Sequence, residues 1–293
     1  MNEDINDLIK KYSLDNEHFQ DYFNNTYNTL IAGKRESKDK TLIIVGGQPG
    51  AGKTRLIPIA KMELKNNVVV VDFDELKAFH PYYLEVCAKY NEDAHRILHF
   101  DVNKVKNKIL DRLIEENYSV IYEGALRDTE GFIEFAKKFK EKGYSIKLDV
   151  LAVPKLESYC SEILRYALSL IQQQTPRWVN KASHDEAYEG VTKTVSEFIN
   201  RRITNNIDVF VRNIDSPKLF YSSKENSQTP VEAIEAGRNQ DRKKAVDNFK
   251  LRYSIIKLIF EEKCPDMLDK LSDLEELYKS EKQKLADEYD KNK

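Results

Sequence analysis

The residues Gly46-Gly47-Gln48-Pro49-Gly50-Ala51-Gly52-Lys53-Thr54 follow the apolar run TLIIV and precede a helical pattern. A helix N-terminus presents unpaired N–H groups and a partial positive charge, so a glycine-rich turn between strand and helix wraps a polyphosphate with backbone donors. Gly47-x4-Gly52-Lys53-Thr54 has that form, which sets Lys53 to reach the β and γ phosphates and the Thr54 hydroxyl to hold Mg²⁺. Gly47, Gln48, Pro49, Gly50, Ala51, Gly52, Lys53, Thr54 and Arg55 are therefore the expected nucleotide contacts. Proline inside a helix breaks a backbone hydrogen bond, so Pro58 predicts an irregular helix directly after the loop.

A second group of chemical residues sits in VVVVDFDELKAFHP, residues 68–81. The apolar run reads as a strand, and residues two apart on a strand share a face, so Asp72 and Asp74 are expected together at its C-terminal end. Ligands of a parallel α/β sheet bind outside the carboxyl ends of the strands. Two carboxylates there suit a kinase: Asp74 takes the proton of an attacking hydroxyl, and Asp72 stands on the metal side. Both residues equally suit the cap of a strand-to-helix turn. Three arginines offer charge for a transferring phosphoryl group. Arg127 ends VIYEGALR, Arg165 stands among apolar neighbours in SYCSEILRYALSLI, and Arg177 lies in QQQTPRWVN, a polar segment suited to a lid. By residue type alone each is as well read as a solvated surface arginine.

The elements that must position these groups alternate. Apolar, β-branched runs at 41–47, 68–73, 118–124, 144–153 and 206–213 are separated by helical stripes, as in a parallel sheet buried on both faces. The class is α/β. From Asp101, read as an N-cap, Val102, Val105, Ile109, Leu110, Leu113 and Ile114 repeat at helical spacing until Asn117, which can end the helix. Tyr188, Val191, Val195, Phe198 and Ile199 mark another helix. Residues 1–40 read as one or two amphipathic helices. Beyond the polar linker at 222–228, Thr229-Pro230 opens a charged helical tail interrupted at Pro265.

Composition narrows the function classes. Charged residues make up 33% of the chain but nearly cancel to a net charge of -2, which gives no global pull toward nucleic acid or anionic membrane. No apolar run approaches the roughly 18 residues of a membrane span, and MNEDINDLIKKYS is acidic where a secretory signal is basic, so a cytoplasmic location is expected. Cys87, Cys160 and Cys264 are widely spaced and fit ordinary thiols in a reducing compartment. His95 and His99 can share a helix face, but two ligands fall short of a metal site.

Several separated segments together resemble the zeta toxin family: GGQPGAGKT, VVVDFDELKAFHP, IYEGALR, LAVPK, the ILRYA helix, the TPR segment and FYSS, in order and approximate spacing over about residues 25–225. Lys53 and Asp74 are 21 apart (74 − 53), the family's spacing between its cradle lysine and catalytic aspartate. The resemblance implies a three-layer P-loop kinase-like fold at 41–224, with a mostly parallel sheet flanked by helices, a lid around 160–183, an N-terminal extension at 1–40 and a C-terminal helical region at 225–293. It implies an ATP- and Mg²⁺-dependent kinase acting on the 3′-hydroxyl of the amino sugar of UDP-N-acetylglucosamine, and a small helical antitoxin as partner. Lys53 and Thr54 then hold ATP and Mg²⁺, Asp74 is the base, and Arg165, Arg177 and Arg127 attend the phosphates. His80, Asn107, Glu123, Ala125 and Arg127 join Asp74 on the acceptor side. Here the chain departs from the family: Asn107 stands where a sugar-contacting glutamate is expected, and Ala125 where a threonine follows the EG pair. Loss of a carboxylate and a hydroxyl alters the means of selecting a sugar. Phosphorylation of another sugar nucleotide, metabolite or antibiotic is thus a second expectation, and a nucleotide-binding interaction module without turnover is a third.

Overall fold

The computed structural model describes residues 4–90, 93–172, 177–225 and 228–291. Its strands are β1 (Thr41–Gly46), β2 (Val69–Val71), β3 (Val120–Gly124), β4 (Ser145–Ala152), β5 (Ile207–Val211) and β6 (Lys218–Ser222), in the sheet order β2-β3-β1-β4-β5-β6. The pairs β2–β3 and β4–β5 are parallel, and β6 runs antiparallel to β5 at the edge. Each of the five apolar runs supplies one of β1 to β5, because strands covered on both faces must be apolar almost throughout. β6 carries no such run: only Tyr221 and Ser222 of KLFYS are buried, which hides it from a pattern search. The second strand is shorter than expected, ending at Val71.

The helices are α1 (Ile5–Tyr12), α2 (Asn16–Ile31), α3 (Ile57–Glu63), α4 (Phe73–Ala78), α5 (Tyr83–Tyr90), α6 (Ala94–Glu115), α7 (Thr129–Glu141), α8 (Lys155–Ile171), α9 (Lys181–Asn200), α10 (Pro230–Gln240), α11 (Arg242–Lys263) and α12 (Ser272–Lys291). The chain forms two compact units. The first comprises Met1–Ile44, Ile57–Gly124 and Ala136–Ile146; the second comprises Val45–Leu56, Ala125–Phe135 and Lys147–Lys293.

In the first unit, α1 and α2 both pack on α6. Asp4 and Asp15 cap them by accepting the N–H groups of Asn6 and His18. Tyr22 and Tyr27 are buried on α2; their hydroxyls donate to the Leu76 carbonyl at 2.7 Å and to Glu116 at 2.6 Å. Asp101, expected as an N-cap, instead lies inside α6, which starts at Ala94. Its buried carboxylate accepts the Leu14 N–H at 2.9 Å, tying the α1–α2 turn to α6. Asn117 ends the helix as expected, at φ 60, a left-handed conformation that asparagine tolerates.

In the second unit, α11 lies along α8, and Tyr159, Ile163 and Tyr166 of α8 share a core with Phe249, Ile256 and Phe260 of α11. Thr229 opens α10 with a reciprocal capping box to Glu232 and with Pro230 in the first turn, as its sequence indicated. Residues 226 and 227 of the expected linker lie outside the described residues. Pro265 starts a 3-10 turn, Pro265–Leu271, that separates α11 from α12. Cys160 is buried in this core, and burial pushes its thiol up to about 12, so it stays protonated and inert.

α8 and α9 meet at a buried polar contact, His184 Nε2 to Ser158 Oγ at 3.0 Å. Burial lowers the His184 pKa to about 4, with Lys155 and Lys181 adding to the shift against the opposing Asp185. The native state therefore holds neutral His184, while the unfolded chain takes up the proton as pH falls below about 6.5. Stability conferred by this neutral histidine is complete above that pH, declines between about 6.5 and 4, and falls no further below it, a total on the order of 3 kcal/mol. Urea melts of the protein and of His184→Gln across this range should show a shallower pH slope in the variant.

Candidate functional site

The glycine-rich loop belongs to the second unit, where β1 delivers the chain to Gly46 and a 3-10 turn, Lys53–Leu56, follows the loop. The α-helical hydrogen-bonding pattern begins only at Ile57, so Pro58 falls in the first turn of α3, where its missing N–H has no helical partner to lose. The irregularity expected from Pro58 is this 3-10 start. Gly50 has φ +72, and a Cβ there would stand 1.9 Å from the Ser158 carbonyl oxygen, so only glycine permits the loop to approach α8 this closely.

Two side chains of the loop and one from outside hold its shape. Gln48 is fully buried, and its Nε2 donates to the Val153 carbonyl at 2.9 Å and to Ser158 Oγ at 3.1 Å. Lys53 Nζ donates to the Gln48 carbonyl at 3.3 Å. Arg212, immediately after β5, donates through Nη2 to the carbonyls of Gly50 at 2.7 Å and Ala51 at 2.9 Å. A trans peptide points its C=O and N–H to opposite sides, so drawing the Ala51 carbonyl toward Arg212 turns the Gly52 N–H the other way. Arg55 donates to the carbonyls of Asn213, Ile214 and Asp215, pinning the segment after β5. Arg212 has no place in the sequence reading; its one signal is a cation directly after an apolar strand.

The three arginines differ in setting. Arg165 is exposed rather than set among apolar groups, because it lies on the outer side of α8; its Nη2 pairs with Oε1 of buried Glu162. Glu162 and Ser158 stand on the same stretch of α8, and both contribute backbone against which Gly50 packs. Arg127 is half exposed, 3.7 Å from Glu186, in a loop that α9 holds closely. Thr194 of α9 donates to the Leu126 carbonyl at 2.9 Å, and a Cβ at Gly190 would stand 2.9 Å from Arg127 Cα. Together Arg127, Asp128, Thr129, Glu130, Glu186 and Lys193 line an open, polar depression of ≈ 490 Å³. Arg177 is exposed just before α9, whose cap is Asn180; Thr175 and Pro176 of the expected lid lie outside the described residues.

The carboxylates belong to the first unit. Asp72 is the N-cap of α4: its Oδ1 accepts the Asp74 N–H at 2.8 Å. The two aspartates are therefore not neighbours on one strand face, since the cap ends the strand at Val71 and carries Asp74 into the first helical turn. Asp74 is half exposed, and its Oδ1 accepts a hydrogen bond from Lys77 Nζ at 2.6 Å; that lysine is almost buried. Lys77 Nζ also lies 5.0 Å from the Phe73 ring centre, which Lys106 Nζ approaches at 5.6 Å. Burial lowers the Lys106 pKa, and His99 packs on the same ring at 5.3 Å. Burial and then the Asp72 charge raise the pKa of the Tyr122 hydroxyl.

Of the expected acceptor residues, Asn107 is exposed on α6, Glu123 is half-buried at the end of β3, and Ala125 follows it, also half-buried. His80 is buried: its Nδ1 accepts the Tyr82 N–H at 3.2 Å, and its ring meets Tyr22 edge-on. It braces the turn after α4 instead of opening to an acceptor. Lys77 and Lys106 escaped the sequence reading because lysines in a charged chain carry no signal by type.

Arg212 and Lys53 take up loop carbonyls, and the Ala51–Gly52 peptide turns its N–H the opposite way, as a cradle for a nucleotide polyphosphate requires. Asp72 retains one carboxylate oxygen, Oδ2, beyond the capping bond for a hard cation such as Mg²⁺. Among the described residues no three His, Cys, Asp or Glu side chains gather as a metal site, and no helix is long and apolar enough to cross a membrane.

The Zeta toxin family profile matches residues 24–226 of the chain. The chain is 30% identical over 225 residues to Toxin zeta of Streptococcus pyogenes, covering 76% of this chain and 78% of that protein. It is 29% identical over 208 residues to Toxin PezT of Streptococcus pneumoniae, covering 71% and 81%. Among solved structures, one from the PezAT chromosomal toxin-antitoxin system of Streptococcus pneumoniae superposes with a TM-score of 0.73 at 25% identity, covering 84% of this chain and 98% of that one.

Gly50→Ala forces a Cβ into the Ser158 carbonyl and places alanine at positive φ, at a cost of about 1–3 kcal/mol for the backbone conformation alone. Titration with an ATP analogue should show affinity reduced by roughly one to two orders of magnitude. Lys77→Met removes the partner that orients Asp74 while keeping the aliphatic stem; turnover should fall about 10-fold or more with ATP affinity unchanged.

Proposed function

This chain belongs to the zeta toxin family, and from that membership together with the geometry of its phosphate loop we propose that it is an ATP-dependent small-molecule kinase. The proposed acceptor is the 3′-hydroxyl on the amino sugar of UDP-N-acetylglucosamine, and the consequence is impaired cell-wall synthesis. The observation that carries the reading is the loop after β1, with glycine packed on α8 at Gly50 and its carbonyls held outward by Arg212. Such a loop directs backbone donors at a polyphosphate, and Lys53 and Thr54 follow in the order that phosphate binding requires.

ATP and Mg²⁺ supply the phosphoryl group and neutralise its charge. Lys53 and the loop N–H groups would hold the phosphates, and Thr54 and Asp72 would offer oxygens to the metal. Asp74 receives the proton of the acceptor hydroxyl; its carboxylate is half exposed and is oriented by Lys77, as a general base must be. Arg165, Arg177 and Arg127 stabilise charge on the transferred group. Glu123, Asn107 and Ala125 are the proposed acceptor-side residues; His80 is buried and braces the turn after α4. A small helical antitoxin is the proposed protein partner.

A second acceptor is favoured by one observation. Asn107, exposed on α6, is a neutral amide where the family's glutamate is expected. An amide in place of a carboxylate gives up a charged acceptor for substrate hydroxyls, which suits a sugar nucleotide with a different substituent pattern. Incubation with ATP, Mg²⁺ and a panel of UDP-sugars, read by ADP release, distinguishes the two by which sugar drives turnover. Asp74→Asn should abolish sugar-dependent turnover while ATP affinity is retained. ATP binding with no turnover on any hydroxylated acceptor would overturn the kinase reading.

A further inference from the structure

We propose that Arg252, on α11 in the C-terminal helical region, is a positioning residue for the nucleotide loop, acting through Glu157 and Arg212. The inference rests on the nucleotide-binding reading above and reaches past residues 24–226, where the family profile ends.

The contacts form one chain. Arg212 holds the carbonyls of Gly50 and Ala51 with Nη2, and its Nη1 donates to Glu157 Oε1 at 2.6 Å and to Ser161 Oγ at 3.0 Å. Arg252 Nη1 donates to the same Glu157 Oε1 at 2.7 Å and to Ser161 Oγ at 3.4 Å. Glu157 and Ser161 are one turn apart on α8, so a single turn of that helix receives both guanidinium groups. A charge-assisted bond from a second, independently anchored arginine restricts the Glu157 rotamer, and Glu157 in turn restricts Arg212. Arg252 is anchored because α11 packs along α8 through Phe249, Ile256 and Phe260.

Glu157 is 12% exposed, Arg212 26% and Arg252 29%, which limits competition from solvent for these bonds. Arg252 therefore contributes to ATP binding by fixing the clamp from behind.

The test uses the full-length protein and a fluorescent ATP analogue, with melting temperature recorded for every variant. Arg252→Met keeps the aliphatic stem on α8; it should weaken ATP binding about 3- to 10-fold, raise the KM for ATP by a similar factor, and leave kcat and the acceptor KM unchanged. Arg252→Lys restores charge without the planar fork and should recover part of the loss, and it serves as the readout if the methionine variant does not fold. Glu157→Gln should weaken binding at least as much, and Glu157→Gln with Arg252→Met no more than Glu157→Gln alone. Wild-type ATP affinity in folded Arg252→Met, or fully additive losses in the double variant, would overturn the inference. A wild-type protein that binds no ATP would instead overturn the nucleotide reading, and this inference with it.

Discussion

A loop that holds polyphosphate with its own backbone must turn N–H groups toward the ligand, and a planar trans peptide can do so only by turning carbonyl oxygens away from it. Those oxygens then need donors of their own. In this protein the requirement is met by Arg212 on Gly50 and Ala51 and by Lys53 on Gln48, while the Gln48 side chain anchors the loop to Val153 and Ser158. The shape of the loop is thus held from behind by charge-assisted bonds, which are about twice as strong as neutral ones.

The first turns of α8 gather most of these supports. Glu157 and Ser161 receive Arg212, Ser158 receives Gln48 and contacts His184, and the Ser158 carbonyl lies against Gly50. A neutral His184 suits this position, since a third cation beside Lys155 and Lys181 in a buried site would be costly. Packing of α11 and the 3-10 turn at Pro265–Leu271 on the same helix gives α8 a long apolar anchor, so the polar face that meets the loop is held by an apolar face behind it.

The carboxylate pair shows how a strand pattern can be overridden by a cap. VVVVDFD reads as strand because valine favours strands and Asp72 and Asp74 have strand spacing. The competing interaction is the Asp72 side chain bonded to the Asp74 N–H, which starts a helix two residues earlier than the apolar pattern suggests. Asp101 errs the other way: an aspartate before an apolar stripe resembles a cap, yet the stripe continues upstream through Ala94, Ile97 and Leu98, and the carboxylate serves the Leu14 N–H. In both cases local pattern was ambiguous by one hydrogen bond.

What the sequence alone determined is the part governed by local chemistry. The α/β class, the glycine loop with Lys53 and Thr54, the irregular start imposed by Pro58, the stop at Asn117 and the Thr229-Pro230 start all follow from periodicity, φ restriction and caps that involve residues a few positions apart. The tertiary structure alone decided which charges serve the loop. Arg212 reaches a carbonyl 162 residues away along the chain, Arg252 reaches a glutamate 95 away, and Arg165, which looked buried by its neighbours in sequence, turns outward. A long cationic side chain can satisfy its charge almost anywhere, so its type and spacing say little until packing brings one particular partner within hydrogen-bonding distance.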